Sequence, residues 1–393
     1  MPVKKPEFLM RMMWLAIVGV LAAVVAGEAA AQAPAFNTKA KQIYLVDAET
    51  GTVLFARGEN EPVPPASLAK LMTMELVFEA LDRGELTPHT TFEVSEHAWR
   101  TGGAPSGTAT MFAAIKSEVP VADLMQGAIV QLANDACIIL AEGMAGSETA
   151  FAERMTERAR ELGMPVATFK NATGLPDPGN KITMRELVTL SRHLHEAHPR
   201  YYRLYSQPDF EWNGIFQRNK NPLIAANVGV DGLATGFAEG FGFSVAASMQ
   251  RGDRRVYLAM GGLESEKERI EESRRVLEWA MTNFEKRRIF AGGEAIGEAS
   301  VYGGTASRVA LVAGGPVDVL LPVNNPERLT ARIVYRWPLS APVAAGQEVG
   351  VVKLWNGERL IKEVPVRTAD AVGPGTLTSR ALDALQELLF FWL

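Results

Sequence analysis

Apolar positions along this chain change their period several times, and each change marks an element. Ile43 to Asp47 and Thr52 to Ala56 are β-rich runs separated by Ala48-Glu49-Thr50-Gly51, which predicts a hairpin. Pro62, Pro64 and Pro65 stop the strand pattern. From about Ser67 the spacing becomes helical, with Leu68, Leu71, Met72, Leu76 and Leu81 as the apolar stripe. Further helices are expected from Val121 through Leu124 and beyond, and from Asn134 through Ala141. Past the glycine-dense stretch 232–242, Phe243 to Met249 and Arg255 to Met260 read as strands. Arg251-Gly252-Asp253 between them is read as a hairpin turn rather than a recognition tripeptide. Glu264 to Phe284 is charged and periodic, as an exposed helix closing a first domain would be. Short β-rich runs then follow (308–312, 317–322, 332–337 and 350–355), broken by Gly, Pro and Asn. They predict a small all-β domain.

The two ends read differently. Lys4, Lys5 and Arg11 precede an apolar run from Met12 to Ala26, and Ala29-Ala30-Ala31 offers a cleavage site before Gln32. Residues 1–31 are therefore expected to be a secretory signal; the alternative, a membrane anchor, would need a longer apolar run. In the tail, Leu377, Ala381, Leu385, Leu388, Leu389 and Trp392 share one helical face. A membrane-surface helix over 376–393 is expected, with packing on the β domain as the alternative. The length of 393 residues suits a substantial core plus a second domain, and 47% apolar with 22% charged residues describes a globular protein. A net charge of −5 argues against a nucleic-acid binder. Cys137 is the only cysteine, so no intramolecular disulfide forms; it sits in an apolar stretch and reads as a buried, inert thiol.

The sharpest chemical pattern is Ser67-Leu68-Ala69-Lys70 at a helix start. Residues three apart share a helix face, so a hydroxyl and an amine can meet there. A serine hydroxyl attacks only when a neighbouring base takes its proton, and a neutral lysine can be that base. Alone, the pattern is also what a helix N-cap looks like.

Its surroundings narrow the reading. Residues 65–73 (PASLAKLMT), 99–111 (WRTGGAPSGTATM), Asn134-Asp135-Ala136, 171–176 (NATGLP) and Val230-Asp231-Gly232-Leu233 followed by Thr235-Gly236 resemble, in order and spacing, the low-molecular-mass penicillin-binding proteins, serine D-alanyl-D-alanine carboxypeptidases. The resemblance implies an α+β, transpeptidase-like domain at 34–288, with an antiparallel sheet flanked by helices. A β domain at 289–372 and the terminal amphipathic helix would follow. It also implies a periplasmic enzyme, peripheral on the outer face of the inner membrane, that removes the last D-alanine of peptidoglycan stem peptides. β-Lactams would acylate the same serine, and no cofactor is needed.

By that resemblance Ser67 is the nucleophile, Lys70 its base, and Asn134 a polar group orienting lysine or substrate. Thr235 and Gly236 would line the substrate, the backbone N–H groups of Ser67 and Phe237 would form the oxyanion hole, and Arg269 would meet the substrate carboxylate. Arg269 also reads as an exposed helical arginine. Two positions depart from the family pattern. Leu132 stands where S-x-N has its serine, and Ala234 where K-T-G has its lysine. A lost hydroxyl removes a proton relay, a contribution of about 10²–10⁴-fold. A lost ammonium weakens carboxylate binding and is expected to leave Lys70 more basic. An impaired enzyme is expected, with a non-catalytic wall-binding or scaffolding relative as the alternative. His193, His195 and His198 lie close in sequence like metal ligands but fall where the family has a plain helix and loop, so no metal is expected.

Overall fold

The computed structural model describes residues 36–323 and 327–376; the expected leader, and the expected terminal helix from residue 377 onward, lie outside them. At the centre is a five-stranded antiparallel sheet built from β1 (Gln42–Asp47), β2 (Val53–Arg57), β3 (Val230–Ala238), β4 (Gly242–Arg251) and β5 (Arg254–Leu263). Its order is β2-β1-β5-β4-β3, so the chain leaves after the first hairpin and returns some 170 residues later to complete it. The hairpin turns where expected. Asp47 Oδ1 accepts from the Thr50 N–H and hydroxyl at 2.8 and 2.7 Å, and Gly51 supplies φ +66°. In β5 every residue from Val256 to Leu263 is buried, the continuous apolar run of a strand covered on both faces.

The excursion between β2 and β3 is mostly helical. A 3-10 turn at Ala66–Ala69 leads into α1 (Lys70–Asp82), so the helix expected from Ser67 opens with one tighter turn. Around it pack α2 (Val121–Val130), α3 (Asn134–Ala145) and α4 (Glu148–Glu161). Leu71, Met72, Phe78, Ile138, Leu140, Phe151 and Met155 form one core with them. Next, α5 (Met184–Ala197) starts at a capping box between Thr183 and Glu186 and packs on β5 and β1. After β5, α6 (Glu266–Thr282) is capped by Ser265 and packs on β4 and β5.

The second unit is all-β: β6 (Phe284–Phe290), β7 (Ala295–Tyr302), β8 (Arg308–Ala313), β9 (Val317–Pro322), β10 (Leu329–Tyr335), β11 (Leu339–Ser340), β12 (Glu348–Asn356) and β13 (Arg359–Thr368). One sheet runs β10-β12-β13-β8-β7-β11, and β6 pairs with β9. Because β6 already belongs to this pairing, the β unit takes up the chain at Phe284, five residues ahead of the expected start at 289. Its own core gathers Leu311, Val319, Val352, Leu354, Ile361 and Val366. It meets the first sheet at β2: Leu320 N–H donates to Thr52 Oγ1 at 3.0 Å, and Arg359 Nη1 to the Leu54 carbonyl at 2.9 Å.

Candidate active site

Ser67 and Lys70 come together one turn apart, as their spacing implies. Lys70 Nζ lies 3.2 Å from Ser67 Oγ and donates to the Thr173 carbonyl at 2.7 Å. The lysine is 2% exposed, whereas Ser67 is half-buried and reachable. Burial disfavours the ammonium and brings the Lys70 pKa down to about 8. A lysine so placed is about one-tenth neutral at pH 7. Burial therefore lowers the Lys70 pKa even with no ammonium at position 234.

The turn is held from behind by the 171–176 stretch. Asn171 Oδ1 accepts from the N–H groups of Thr173 and Gly174, at 3.3 and 2.7 Å, and folds the loop on itself. Thr73 Oγ1 donates to the Ala172 carbonyl at 2.6 Å, and Glu148 accepts from the Ala172 N–H at 3.0 Å. Gly174 has φ +77°, and a Cβ there would lie 1.7 Å from the Ala66 carbonyl oxygen. Only glycine lets the loop come this close, which is what brings the Thr173 carbonyl to Lys70. Ala66 itself sits at φ +48°, so the residue before the nucleophile is in the left-handed region that L-residues avoid.

Asn134 opens α3 and faces the loop carrying Thr108. Its Nδ2 donates to Thr108 Oγ1 at 2.9 Å, while its Oδ1 is buried with no hydrogen-bond partner among the described residues. The neighbouring Asp135 is fully buried and ties the same loop down, accepting from Thr110 Oγ1 and from the N–H groups of Met111 and Ala113. Burial pushes its carboxyl up while these donors pull it down, and burial wins. Leu132, between α2 and α3, is 7% exposed at φ +54°. Ala234 is 1% exposed, and both residues belong to the main apolar core. The two altered positions are thus greasy where the family pattern is polar.

Strand β3 brings the third motif alongside the nucleophile turn. A Cβ on Gly236 would lie 2.8 Å from Ser244 Oγ, 3.3 Å from Ala66 Cβ and 3.4 Å from the Pro65 carbonyl oxygen, so β3 runs close beside residues 65–66. The Thr235 hydroxyl donates to the Lys220 carbonyl at 3.4 Å. Phe237 is exposed, its ring 4.7 Å from that of Phe243 on β4. The guanidinium of Arg269 lies over that same Phe243 ring at 5.7 Å. Arg269 is 5% exposed, which corrects the exposed-helix reading; its Nη2 pairs with Glu266 at 3.0 Å.

Some neighbours carried no sequence signal. Lys220 is a lone lysine in a polar loop, yet its N–H donates to the Val130 carbonyl at 2.8 Å and its own carbonyl takes the Thr235 hydroxyl. Its exposed side chain lines a cavity of about 400 Å³ together with Phe112, Gln131, Phe216 and Glu266. Thr108 and the Thr173 carbonyl lay inside stretches that carried the resemblance, but only the fold shows what they touch. The histidines separate: His195 Nδ1 lies 2.8 Å from Tyr257 Oη, whereas His193 and His198 converge on Glu75. Cys137 is fully buried, its thiol pushed up to about 12 by that burial.

Comparison with known proteins identifies the family. Residues 27–263 match the family described as D-alanyl-D-alanine carboxypeptidase, and residues 284–373 match the penicillin-binding protein 5 C-terminal domain. The chain is 34% identical over 345 residues to D-alanyl-D-alanine carboxypeptidase DacD of Salmonella typhimurium, covering 87% of this chain and 88% of the relative. It is 33% identical over 372 residues to DacC of Escherichia coli, covering 93% and 92%. Among solved structures, penicillin-binding protein 5 from Haemophilus influenzae matches with TM-score 0.70 and 30% identity, over 86% of this chain and 98% of that one. Penicillin-binding protein D2 from Listeria monocytogenes in its ampicillin-bound form matches with TM-score 0.55 and 27% identity, over 63% and 100%.

Proposed function

The chain belongs to the D-alanyl-D-alanine carboxypeptidase family of penicillin-binding proteins, and from that premise we propose how its own residues carry the reaction and where they fall short. Ser67 Oγ attacks the carbonyl carbon between the two terminal D-alanines as neutral Lys70 takes the hydroxyl proton. The backbone N–H groups of Ser67 and Phe237 receive the developing oxyanion. The C–N bond breaks as the proton held by Lys70 passes to the departing amine of D-alanine, and water then hydrolyses the Ser67 ester, freeing the stem peptide carboxylate and restoring the hydroxyl. Asn134 Oδ1, a buried acceptor without a partner, orients the lysine or a substrate N–H. Thr235 and Arg269 receive the substrate carboxylate, Arg269 by leaving Glu266. The observation that carries this reading is the buried lysine 3.2 Å from a reachable serine hydroxyl.

Leu132 removes the hydroxyl that would relay the proton to the departing amine, and Ala234 removes a cation from the carboxylate site. Turnover is therefore slow, limited by proton delivery and carboxylate binding rather than by the nucleophile. A penicillin acylates Ser67 by the same attack, its ring amide standing in for the peptide bond. The leader-like residues 1–31 support export across the cytoplasmic membrane, and the amphipathic pattern at 376–393 supports docking on its outer surface. No helix among the described residues is long and apolar enough to cross a membrane.

The test is release of free D-alanine from a synthetic stem peptide ending in D-alanyl-D-alanine. Slow release, abolished by Ser67→Ala, is expected. Release that survives Ser67→Ala overturns the assignment of the nucleophile, and no release from the unaltered protein points instead to a wall-binding relative.

A further inference from the structure

On the far end of α1 from Ser67, three side chains from three parts of the chain converge. Glu75, Asp82 and Lys70 share α1, His193 comes from α5, and His198 follows that helix. Glu75 is fully buried, with His193 Nε2 2.9 Å from its Oε1 and His198 Nε2 3.2 Å from its Oε2. The three ligand-type atoms all lie within 4.8 Å of one another. Metal–ligand bonds of about 2.0–2.1 Å in a tetrahedral array put neighbouring ligand atoms about 3.3 Å apart, and the His198 Nε2–Glu75 Oε2 separation of 3.2 Å is close to that.

Two features distinguish this cluster from an ordinary buried ion pair. Glu75 Oε2 and His198 Nε2 are both buried and neither has a hydrogen-bond partner among the described residues, though they face each other at 3.2 Å. His198 Nδ1 lies 2.5 Å from Asp82 Oδ2; with the proton on Nδ1, Nε2 presents its lone pair to an anionic oxygen. In that tautomer the two lone pairs need a cation beside them; the alternative occupant is a second proton on His198, which a metal ion would displace. The surroundings are arranged as an outer shell. Arg158 donates to Glu75 Oε1 through Nε and Nη2 at 3.0 and 2.9 Å, leaving Oε2 turned inward, while Asp82 fixes the His198 ring. Glu79 and Glu161 also contact Arg158, at 3.3 and 2.9 Å. Four carboxylates against the one guanidinium in direct contact leave an excess of negative charge around the two imidazoles. His193 is 27% exposed and Asp82 45%, so an ion can enter from the surface.

We propose that Glu75, His193 and His198 bind a divalent transition metal of the zinc class through the Glu75 carboxylate and the two Nε2 atoms, tying α1 to the end of α5. Two imidazoles and one carboxylate suit Zn²⁺ better than the oxygen-seeking Mg²⁺ or Ca²⁺. The fourth position is open to water. The site staples the helix that carries Lys70 and is separate from the peptidase chemistry.

The test uses the purified protein, stripped with a chelator and titrated at pH 7.5 with zinc chloride and, separately, cobalt chloride. One equivalent of zinc retained through gel filtration, with a thermal midpoint raised by several degrees, is expected. Bound cobalt should give visible ligand-field absorption typical of a tetrahedral nitrogen–oxygen site. His193→Ala, at a partly exposed position that should fold, and His198→Gln should each lower zinc affinity at least tenfold, while Ser67→Ala leaves it unchanged. No retained zinc and no midpoint shift, or a cobalt spectrum unchanged in both histidine variants, overturns the site and leaves the cluster held by protons and Arg158 alone.

Discussion

At the scale of single residues, the chemistry turns on what burial does to one amine. Lys70 needs no second ammonium to become a base near pH 8, since its own desolvation suffices. The defects at Leu132 and Ala234 therefore fall on proton relay and carboxylate binding. Restoring both, as Leu132→Ser with Ala234→Lys, should raise the rate of penicillin acylation by about 10²-fold, followed as the serine adduct by intact-protein mass. Ala234→Lys alone should gain little, because a lysine at a 1%-exposed site in an apolar core, with Leu132 still in place, is itself desolvated. An equal gain from the single and the double variant would mean that Leu132 does not impede the site. Leu132→Ser alone should lower stability by about 2 kcal/mol through lost apolar burial, read as a shift in denaturant midpoint.

At the scale of elements, the site is a set of close approaches between backbones. The strand and helix periods were legible because apolar spacing reports burial directly. Val256 to Leu263 is a continuous apolar strand since helices pack on it, and Ser67 meets Lys70 since a helical turn puts them on one side. Lys220 was not legible, because a lysine in a polar loop looks the same whether or not its carbonyl takes the Thr235 hydroxyl. The Glu75 cluster was hidden for a related reason. The histidine spacing suggested His195, but helix rotation sends that ring to Tyr257 and admits a glutamate from more than a hundred residues earlier. Gly174→Ala probes the tightest approach. With φ +77° and the Ala66 carbonyl 1.7 Å from the added carbon, the loop must retreat. Stability should fall by at least about 2 kcal/mol, and acylation should fall with it as the Thr173 carbonyl withdraws from Lys70. An unchanged thermal midpoint and acylation rate would show that the loop is not wedged against the nucleophile turn.

At the scale of the whole molecule, none of the groups described around Ser67 comes from the described residues of the β unit. It is fastened to β2 through Thr52 and Leu54, on the edge of the sheet opposite β3. A chain ending at residue 283 should therefore acylate within about threefold of the full protein at equal folded fraction, although with a lower thermal midpoint since the edge at β2 loses its cover. Loss of acylation in a folded truncated protein would mean that the β unit shapes the site at a distance.

The most direct test of the central claim is the second-order rate at which a penicillin labels Ser67, measured by mass from pH 6 to pH 9.5. The folded lysine is protonated below about 8, so the rate should climb about tenfold per pH unit up to that point and level off above it. A rate that is already maximal at pH 6, or that keeps climbing steeply to pH 9.5, would contradict a base made by burial alone.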